Sequence, residues 1–240
     1  MISVIIPTLN AEADLAATLT ALVPGAVEGL VREVIVVDGG STDRTLKIAE
    51  GCGADVVVSQ PGRGAQLVAG AARARFPWLL FLHADTELSP GWDRDVVTFI
   101  ERIESGRRAE SAAAFTFALD DEGFAPRFLE MLVRLRCMVL RLPYGDQGLL
   151  IPRSLYTEVG GYRPLPLMED VDINRRLRRR LVVLRAHGIT SARRFRDEGY
   201  VARVLRNQVC LALYFLRFPT ARIARIYGGR AVTRSGASAS

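Results

Sequence analysis

Cysteine, histidine and lysine are scarce in this chain of 240 residues, which has three Cys, two His and, beside 31 Arg, the single lysine Lys47. Cys52, Cys137 and Cys210 stand far apart, with no Cys-x-x-Cys pair and no Cys/His grouping at zinc spacing. A disulfide framework and a structural zinc site are therefore excluded as organising devices, and a reducing cytoplasm is the expected location. Long apolar runs are lacking too. The run at 209–216 is closed by Arg217, well short of the roughly 18 residues a membrane span needs. The opening run 2–6 has no basic region ahead of it and stops at Pro7, unlike a signal peptide. Neither the Walker phosphate loop nor the dinucleotide glycine fingerprint is present, which argues against P-loop NTPase and nicotinamide chemistry. What remains, 49% apolar and 24% charged, is the composition of a globular chain that buries its core without staples.

The net charge of +6 is unevenly placed. Between Arg163 and Arg230 there are 16 Arg against five acids, a balance of +11 that leaves the rest of the chain at −5. Guanidinium groups suit phosphate, so an anionic ligand or a membrane surface is the expected partner of this third. For 175–180 a solvated helix face is the simpler explanation. Nucleic acid is not expected, because no helix-turn-helix, zinc-finger or aromatic RNA-recognition motif accompanies the charge.

Short β-branched runs alternate with helical patterns through the first half. Strands are expected at 3–6, 33–37, 55–58 and 78–82, and helices at 11–22 (with Asn10 as N-cap), 42–50, 65–75 and 90–104. Such alternation means βαβ units in a mostly parallel sheet flanked by helices, an α/β fold. Farther on, 112–117 and 149–152 read as extended, 126–142 and 170–180 as helical and 181–184 as a short strand. His187 beside Gly188 suggests a turn. A helical, Arg-rich extension broken at Pro219 follows at 191–230, and 231–240 reads as a frayed tail. Its middle, around Val209, Leu213 and Leu216, is apolar on nearly every side, as suits packing on the main domain, a homodimer contact or shallow docking at the inner face of a membrane.

In open parallel sheets ligands bind beyond the carboxyl ends of the strands. The acids fall there. Asp38 ends the run Val34-Ile35-Val36-Val37 and precedes Gly39-Gly40-Ser41-Thr42-Asp43, while Asp85 follows the fourth strand through His83 and Ala84. An acid after a buried strand, with glycines letting backbone approach a ligand, suits a ribose, a base or a metal beside phosphate. Gly62-Arg63-Gly64 offers amides and a guanidinium, although taken alone a plain turn is the simpler explanation.

Taken together, Val4-Ile5-Ile6-Pro7-Thr8-Leu9-Asn10-Ala11-Glu12, Val36-Val37-Asp38-Gly39-Gly40-Ser41-Thr42-Asp43, His83-Ala84-Asp85 and Glu169-Asp170 resemble, in order and spacing, the family 2 glycosyltransferases. The resemblance covers about 2–184. Thr190 to Arg194, Gly199 and Tyr227-Gly228 are similar to a bacterial subgroup labelled rSAM/selenodomain-associated transferases. The resemblance implies a GT-A fold over 1–190, a nucleotide-diphosphate-sugar donor of UDP or GDP type, Mg²⁺ or Mn²⁺, and inversion at the sugar carbon. It implies that Pro7, Leu9, Glu12, Asp38 and Gly39 line the nucleoside pocket, that Arg63, His83, Ala84 and Asp85 face the donor with Asp85 on the metal, and that Asp170, beside Glu169, is the catalytic base. His83 stands where the family carries the first acid of its metal motif. Asp146 and Gln147 are expected near acceptor and sugar, and Arg193 and Arg194 on diphosphate or an anionic acceptor. A sugar-phosphate nucleotidyltransferase would carry a glycine-rich basic loop near the N-terminus, which Pro7-Thr8-Leu9-Asn10 is not. A non-catalytic nucleotide-sugar sensor or scaffold is the alternative from another class.

Overall fold

The computed structural model describes residues 1–140 and 143–228; the tail expected at 231–240, and the end of the helix expected at 126–142, lie outside them. In chain order the elements are β1 (Ile2–Thr8), α1 (Leu15–Ala21), α2 (Val23–Val27), β2 (Val31–Asp38), α3 (Thr45–Gly51), β3 (Asp55–Val58), α4 (Arg63–Arg73), β4 (Trp78–Phe81), β5 (Thr86–Leu88), α5 (Trp92–Glu104), β6 (Ala112–Leu119) and α6 (Phe124–Leu140). A single 3-10 turn (Gly145–Gln147) then leads to β7 (Leu149–Pro152), α7 (Arg153–Glu158), α8 (Glu169–Leu177), β8 (Leu181–Thr190), α9 (Arg193–Glu198), α10 (Tyr200–Phe215) and α11 (Thr220–Gly228).

Period-2 alternation sends each strand's side chains into two separate cores. From β1, Ile2, Val4 and Ile6 join the layer of α1 and α5, whereas Ile5 joins the layer of α4, α7 and α8. Trp78 and Leu80 of β4 divide from Leu79 and Phe81 in the same way. The central strands β1, β4 and β7 are thus buried on both faces, which is why they read as continuous apolar runs. Among the described residues the strand order is β3-β2-β1-β4-β7-β6-β8-β5. β3, β2, β1 and β4 pair in parallel and form the α/β half expected from the sequence. β7 enters antiparallel between β4 and β6, and β5 closes the edge antiparallel to β8.

The differences from the sequence expectations are local and have local causes. The helix expected from Ala11 starts only at Leu15, and Asn10 does not cap it. Asn10 has φ 51° and its side-chain oxygen accepts the Thr42 N–H at 2.9 Å, so it serves a turn. β5 is three residues long, too short for a periodic signal, and its pairing extends β8 to Thr190. His187 consequently lies in a strand, donating its N–H to Ser89 Oγ at 2.9 Å.

Beyond β8 the chain packs back onto the domain. Phe195 and Ala192 join Phe117 and Leu119 of β6 and Leu129 and Val133 of α6 in a third cluster, and α10 buries Arg203, Cys210 and Leu211. Its outer face leaves Val201, Leu205 and Val209 exposed. No helix among the described residues is long and apolar enough to cross a membrane.

Candidate active site

The carboxyl ends of β1 and β2 are tied together by side chains. Asp38 is 1% exposed. One carboxylate oxygen accepts the hydroxyls of Thr8 (3.1 Å) and Ser41 (2.5 Å), and the other accepts the N–H groups of Gly40 and Ser41, both at 2.8 Å. These hydrogen bonds outweigh burial and hold its pKa below the usual carboxylate value. All its lone-pair directions are occupied, which corrects the expectation that Asp38 meets a base or ribose: it shapes the loop instead. Glu12 likewise accepts the backbone N–H and the Nε of Arg44, at 2.9 and 3.3 Å. Gly39 donates to the Thr8 carbonyl at 2.9 Å, and a Cβ on it would stand 3.2 Å from the Gln66 amide. Pro7 lies in β1 opposite Val37, and Leu9 is exposed at the rim.

A cavity of about 110 Å³ lies beyond β4 and is lined by Arg63, His83, Asp85, Gly145, Asp146, Glu169, Asp170, Arg194, Phe195, Arg203 and Tyr227, among others. Five chain segments meet there, the start of α4 bringing Arg63. The β4–β5 loop brings His83 and Asp85, with the Ala84 carbonyl fastened by the Thr18 hydroxyl at 2.8 Å. The Gly145–Gln147 turn brings Asp146, the start of α8 brings Glu169 and Asp170, and the C-terminal helices bring the rest.

Asp170 is oriented by two backbone donors, Gly145 N–H to one oxygen at 2.8 Å and Val171 N–H to the other at 2.7 Å. Met168, the residue before α8, is held at φ 66°, a left-handed conformation that costs a side-chain-bearing residue about 1–2 kcal/mol. That strain turns Glu169 and Asp170 into the cavity. Gly145 must be glycine: a Cβ there would stand 2.5 Å from His83 Nε2 and 3.6 Å from Asp170 Oδ2. Burial, and then the charges of Arg63 and Arg194, push the His83 pKa well below its ordinary value, so the ring is neutral at pH 7.

Asp85 Oδ1 stands 4.0 Å from His83 Nδ1, and Oδ2 stands 3.9 Å from an Arg194 Nη. No hydrogen bond closes on this carboxylate among the described residues. They also hold no group of three His, Cys, Asp or Glu arranged as a complete metal site. Open carboxylate oxygens beside a neutral imidazole fit a hard divalent cation whose remaining ligands are phosphate oxygens and water.

Asp146 is pushed up to about 6, chiefly by burial, with Arg136 opposing and Asp170 and Asp85 adding to the rise. Gln147 does not face the cavity. Only 1% exposed, it donates to the Phe115 carbonyl at 2.9 Å and accepts from Cys137 and Tyr144 at 3.3 Å, so it braces the turn from behind, a correction to its expected acceptor contact. Arg193 is also spent elsewhere, on Asp14 at 2.6 Å. Arg203, Asn207 and Phe195 carry no local signal of a site; only the folding back of the C-terminal helices brings them in.

Glu169, with its side chain 2% exposed, lies 3.7 Å from Arg63. Burial first, then the Asp170 charge, pushes its pKa up to about 7 from 4.5, against the pull of Arg63. The folded chain therefore keeps this proton after the unfolded chain has lost it, so stability falls as pH rises from about 4.5 to about 7 and levels off above. Asp146 acts in the same direction. Between pH 5 and 8 we expect a loss on the order of 1–3 kcal/mol, with a visibly smaller slope in Glu169→Gln. Denaturant unfolding across that range is the measurement, and identical slopes in the two proteins would remove Glu169 as the cause.

Comparison with known proteins agrees with this geometry. The model described as Glycosyl transferase family 2 matches residues 3–135, more than half of the chain. The chain belongs to glycosyl transferase family 2. An uncharacterised glycosyltransferase of Mycobacterium bovis is 33% identical over 106 residues, 44% of each chain. Glucosyl-3-phosphoglycerate synthase of Mycobacterium tuberculosis is 37% identical over 93 residues, 35% of this chain and 28% of that one. The matched stretch thus spans less than half the length of these curated relatives. The crystal structure of the same synthase with Mn²⁺, UDP and phosphoglyceric acid superposes with a TM-score of 0.53 and 25% identity, covering 76% of this chain and 67% of the other. TarS 1-349 of S. aureus, at 18% identity, superposes over 95% of this family 2 chain and 69% of its own with a TM-score of 0.63, a likeness of GT-A fold alone.

Proposed function

We propose that this family 2 chain transfers a glycosyl group from a nucleoside diphosphate sugar of UDP type to an acceptor hydroxyl, with inversion at the sugar carbon. One observation carries the proposal: a single cavity joins an open carboxylate, Asp85, two guanidinium groups, Arg63 and Arg194, and a backbone-aligned carboxylate, Asp170. Departure of a diphosphate needs positive charge on one side of the sugar, and attack by a hydroxyl needs a proton acceptor on the other. Arg63 and Arg194 supply the first. Glu169 keeps Arg63 aimed into the cavity through their ion pair. Asp170 takes the hydroxyl proton as the new bond from C1 to the acceptor oxygen forms and the bond from C1 to the diphosphate oxygen breaks. Asp85, with neutral His83 beside it, would hold Mg²⁺ or Mn²⁺, which when bound supplies Lewis-acid stabilisation of the leaving diphosphate. The complexes of the mycobacterial synthase with UDP and Mn²⁺ support both the donor type and the ion. On this account residues 1–190 carry the donor and 191–228 complete the cavity.

Calorimetric titration with UDP, GDP, dTDP and CDP, each with Mn²⁺, Mg²⁺ or chelator, tests the donor half. UDP is expected to bind with metal and to weaken at least tenfold in chelator and in Asp85→Asn. The anomer formed, read by NMR of the product, tests inversion. If none of the four nucleotides bound under any condition, the transferase reading would fail.

A further inference from the structure

A second cavity, of about 520 Å³, runs between α6 and α10 and is lined by Leu129, Leu132 and Val133 on one side and Val204 and Leu211 on the other, above Phe117. Its size falls within the roughly 300–1,000 Å³ of small-molecule sites, which the cavity at Asp170 does not reach. The two spaces are contiguous. Tyr144, Asp146, Phe195 and Asn207 line both. On that shared wall Asp146 Oδ1 and Asn207 Oδ1 are buried without a hydrogen-bond partner among the described residues. Buried acceptors left unmatched are costly, by about 1–3 kcal/mol each, and they call for a donor. An anion placed at these two oxygens would meet the Asp146 carboxylate, with Asp170 and Asp85 adding to the repulsion and Arg136, stacked on the Tyr144 ring, opposing it.

Resting on the transferase reading above, we propose that the acceptor is a neutral alcohol with an apolar body, which lies in the α6–α10 groove and gives its hydroxyl hydrogen bond to Asp146 on the wall shared with the catalytic cavity. The groove accounts for the apolar body and the unmatched oxygens for the hydroxyl. In the transfer the hydroxyl turns its one proton from Asp146 to Asp170, which takes it as the acceptor oxygen bonds to the sugar C1 and the C1–O bond to the diphosphate breaks, giving an apolar glycoside, a nucleoside diphosphate and a protonated Asp170. Asp146 positions the hydroxyl and is not consumed. A lipid phosphate would suit neither oxygen, which separates this substrate class from the anionic acceptors that the Arg-rich sequence alone suggests.

The test uses the full chain and a dansyl-labelled undecanol as probe, followed by fluorescence, with 1-dodecanol, dodecyl methyl ether and dodecyl phosphate as competitors. Saturable probe binding is expected. It should weaken at least tenfold in Leu132→Trp and, independently, in Gln208→Trp, two substitutions on opposite and partly exposed walls of the groove. Calorimetric binding of UDP with Mn²⁺ should be unchanged in both, which also reports that they fold. 1-Dodecanol should displace the probe at one tenth or less of the concentration needed for the ether or the phosphate, and Asp146→Asn should reduce that preference. Probe binding indifferent to both Trp substitutions would overturn the proposal, as would stronger displacement by the phosphate. A concentration-dependent dimer lost in both variants would also overturn it, by making the groove a contact between copies. Absence of UDP binding in the unsubstituted chain would remove the transferase reading through the donor arm alone, and the acceptor assignment with it. A groove failure with UDP binding intact would remove only the assignment.

Discussion

Asp170→Asn is expected to lower kcat by a hundredfold to ten-thousandfold while UDP binding changes by less than threefold. The magnitude follows from the loss of a positioned general base, commonly worth 10²–10⁴. The asymmetry follows from the geometry. Asp170 accepts one backbone N–H on each oxygen, from Gly145 and from Val171, so the isosteric amide keeps one of these contacts and turns an NH₂ toward the other donor. Losing one hydrogen bond costs about 1 kcal/mol of local order, far less than the catalytic deficit. Steady-state release of UDP, together with calorimetric titration of UDP and Mn²⁺, separates the two effects. A sensor or scaffold would keep its function in this variant. If kcat stayed within threefold, the proton would leave by another group and the start of α8 would lose its catalytic role.

Gly64→Ala reverses the usual sign of a helical substitution. Alanine within a helix is ordinarily favoured over glycine by about 1 kcal/mol. Here the added Cβ would stand 2.6 Å from three backbone atoms, the Arg163 carbonyl oxygen and the nitrogen and oxygen of Leu165. Backbone cannot swing aside as a flexible side chain can, so either the first turn of α4 or the segment 163–165 must shift. Overpacking of this kind costs about 1–3 kcal/mol and occasionally more. For a domain of this size that corresponds to a melting temperature lower by roughly 2–12 °C. The shift also reaches the site, because Arg63 precedes Gly64 and the segment 163–165 leads to Glu169 and Asp170. Turnover is expected to fall at least tenfold. Thermal unfolding is the decisive measurement, and a variant as stable as the unsubstituted chain would contradict the close approach.

The parallel half of the sheet was legible in the sequence because each of its strands is a short apolar run between helical patterns, with acids beyond the carboxyl ends of β2 and β4. The positions of Asp85, Glu169 and Asp170 were legible by resemblance, and Arg63, His83 and Arg194 stand with them in one cavity. Asp38 misled for a physical reason. A carboxylate at a strand end serves equally well to hold a ligand or to gather the N–H groups of its own loop, and only coordinates show that Thr8, Gly40 and Ser41 fill its lone pairs. Gln147 misled similarly, since an amide beside glycines can brace a turn or greet a sugar. Arg203 and Asn207 were illegible as site residues. Nothing in a helical repeat says which face meets a cavity built some hundred residues earlier. β5 and the second half of β8 escaped because three residues carry no period and because their pairing partners lie far apart in sequence.

That distant pairing sets an order of events during synthesis. β3, β2, β1 and β4 need nothing beyond Phe81 to align as a parallel sheet. Among the described residues β5 pairs with β8 alone, and Thr86 meets Thr190 across 104 residues. At roughly 5–20 residues per second on the ribosome, the stretch carrying Asp85 waits about 5–20 seconds for the strand that fixes it. Throughout that interval the nascent chain has its parallel strands and an Asp85 loop held by Thr18, without its β8 pairing. The Asp85 cavity is thereby linked to completion of translation: a stalled or clipped chain ending before β8 has the parallel strands without the closed cavity.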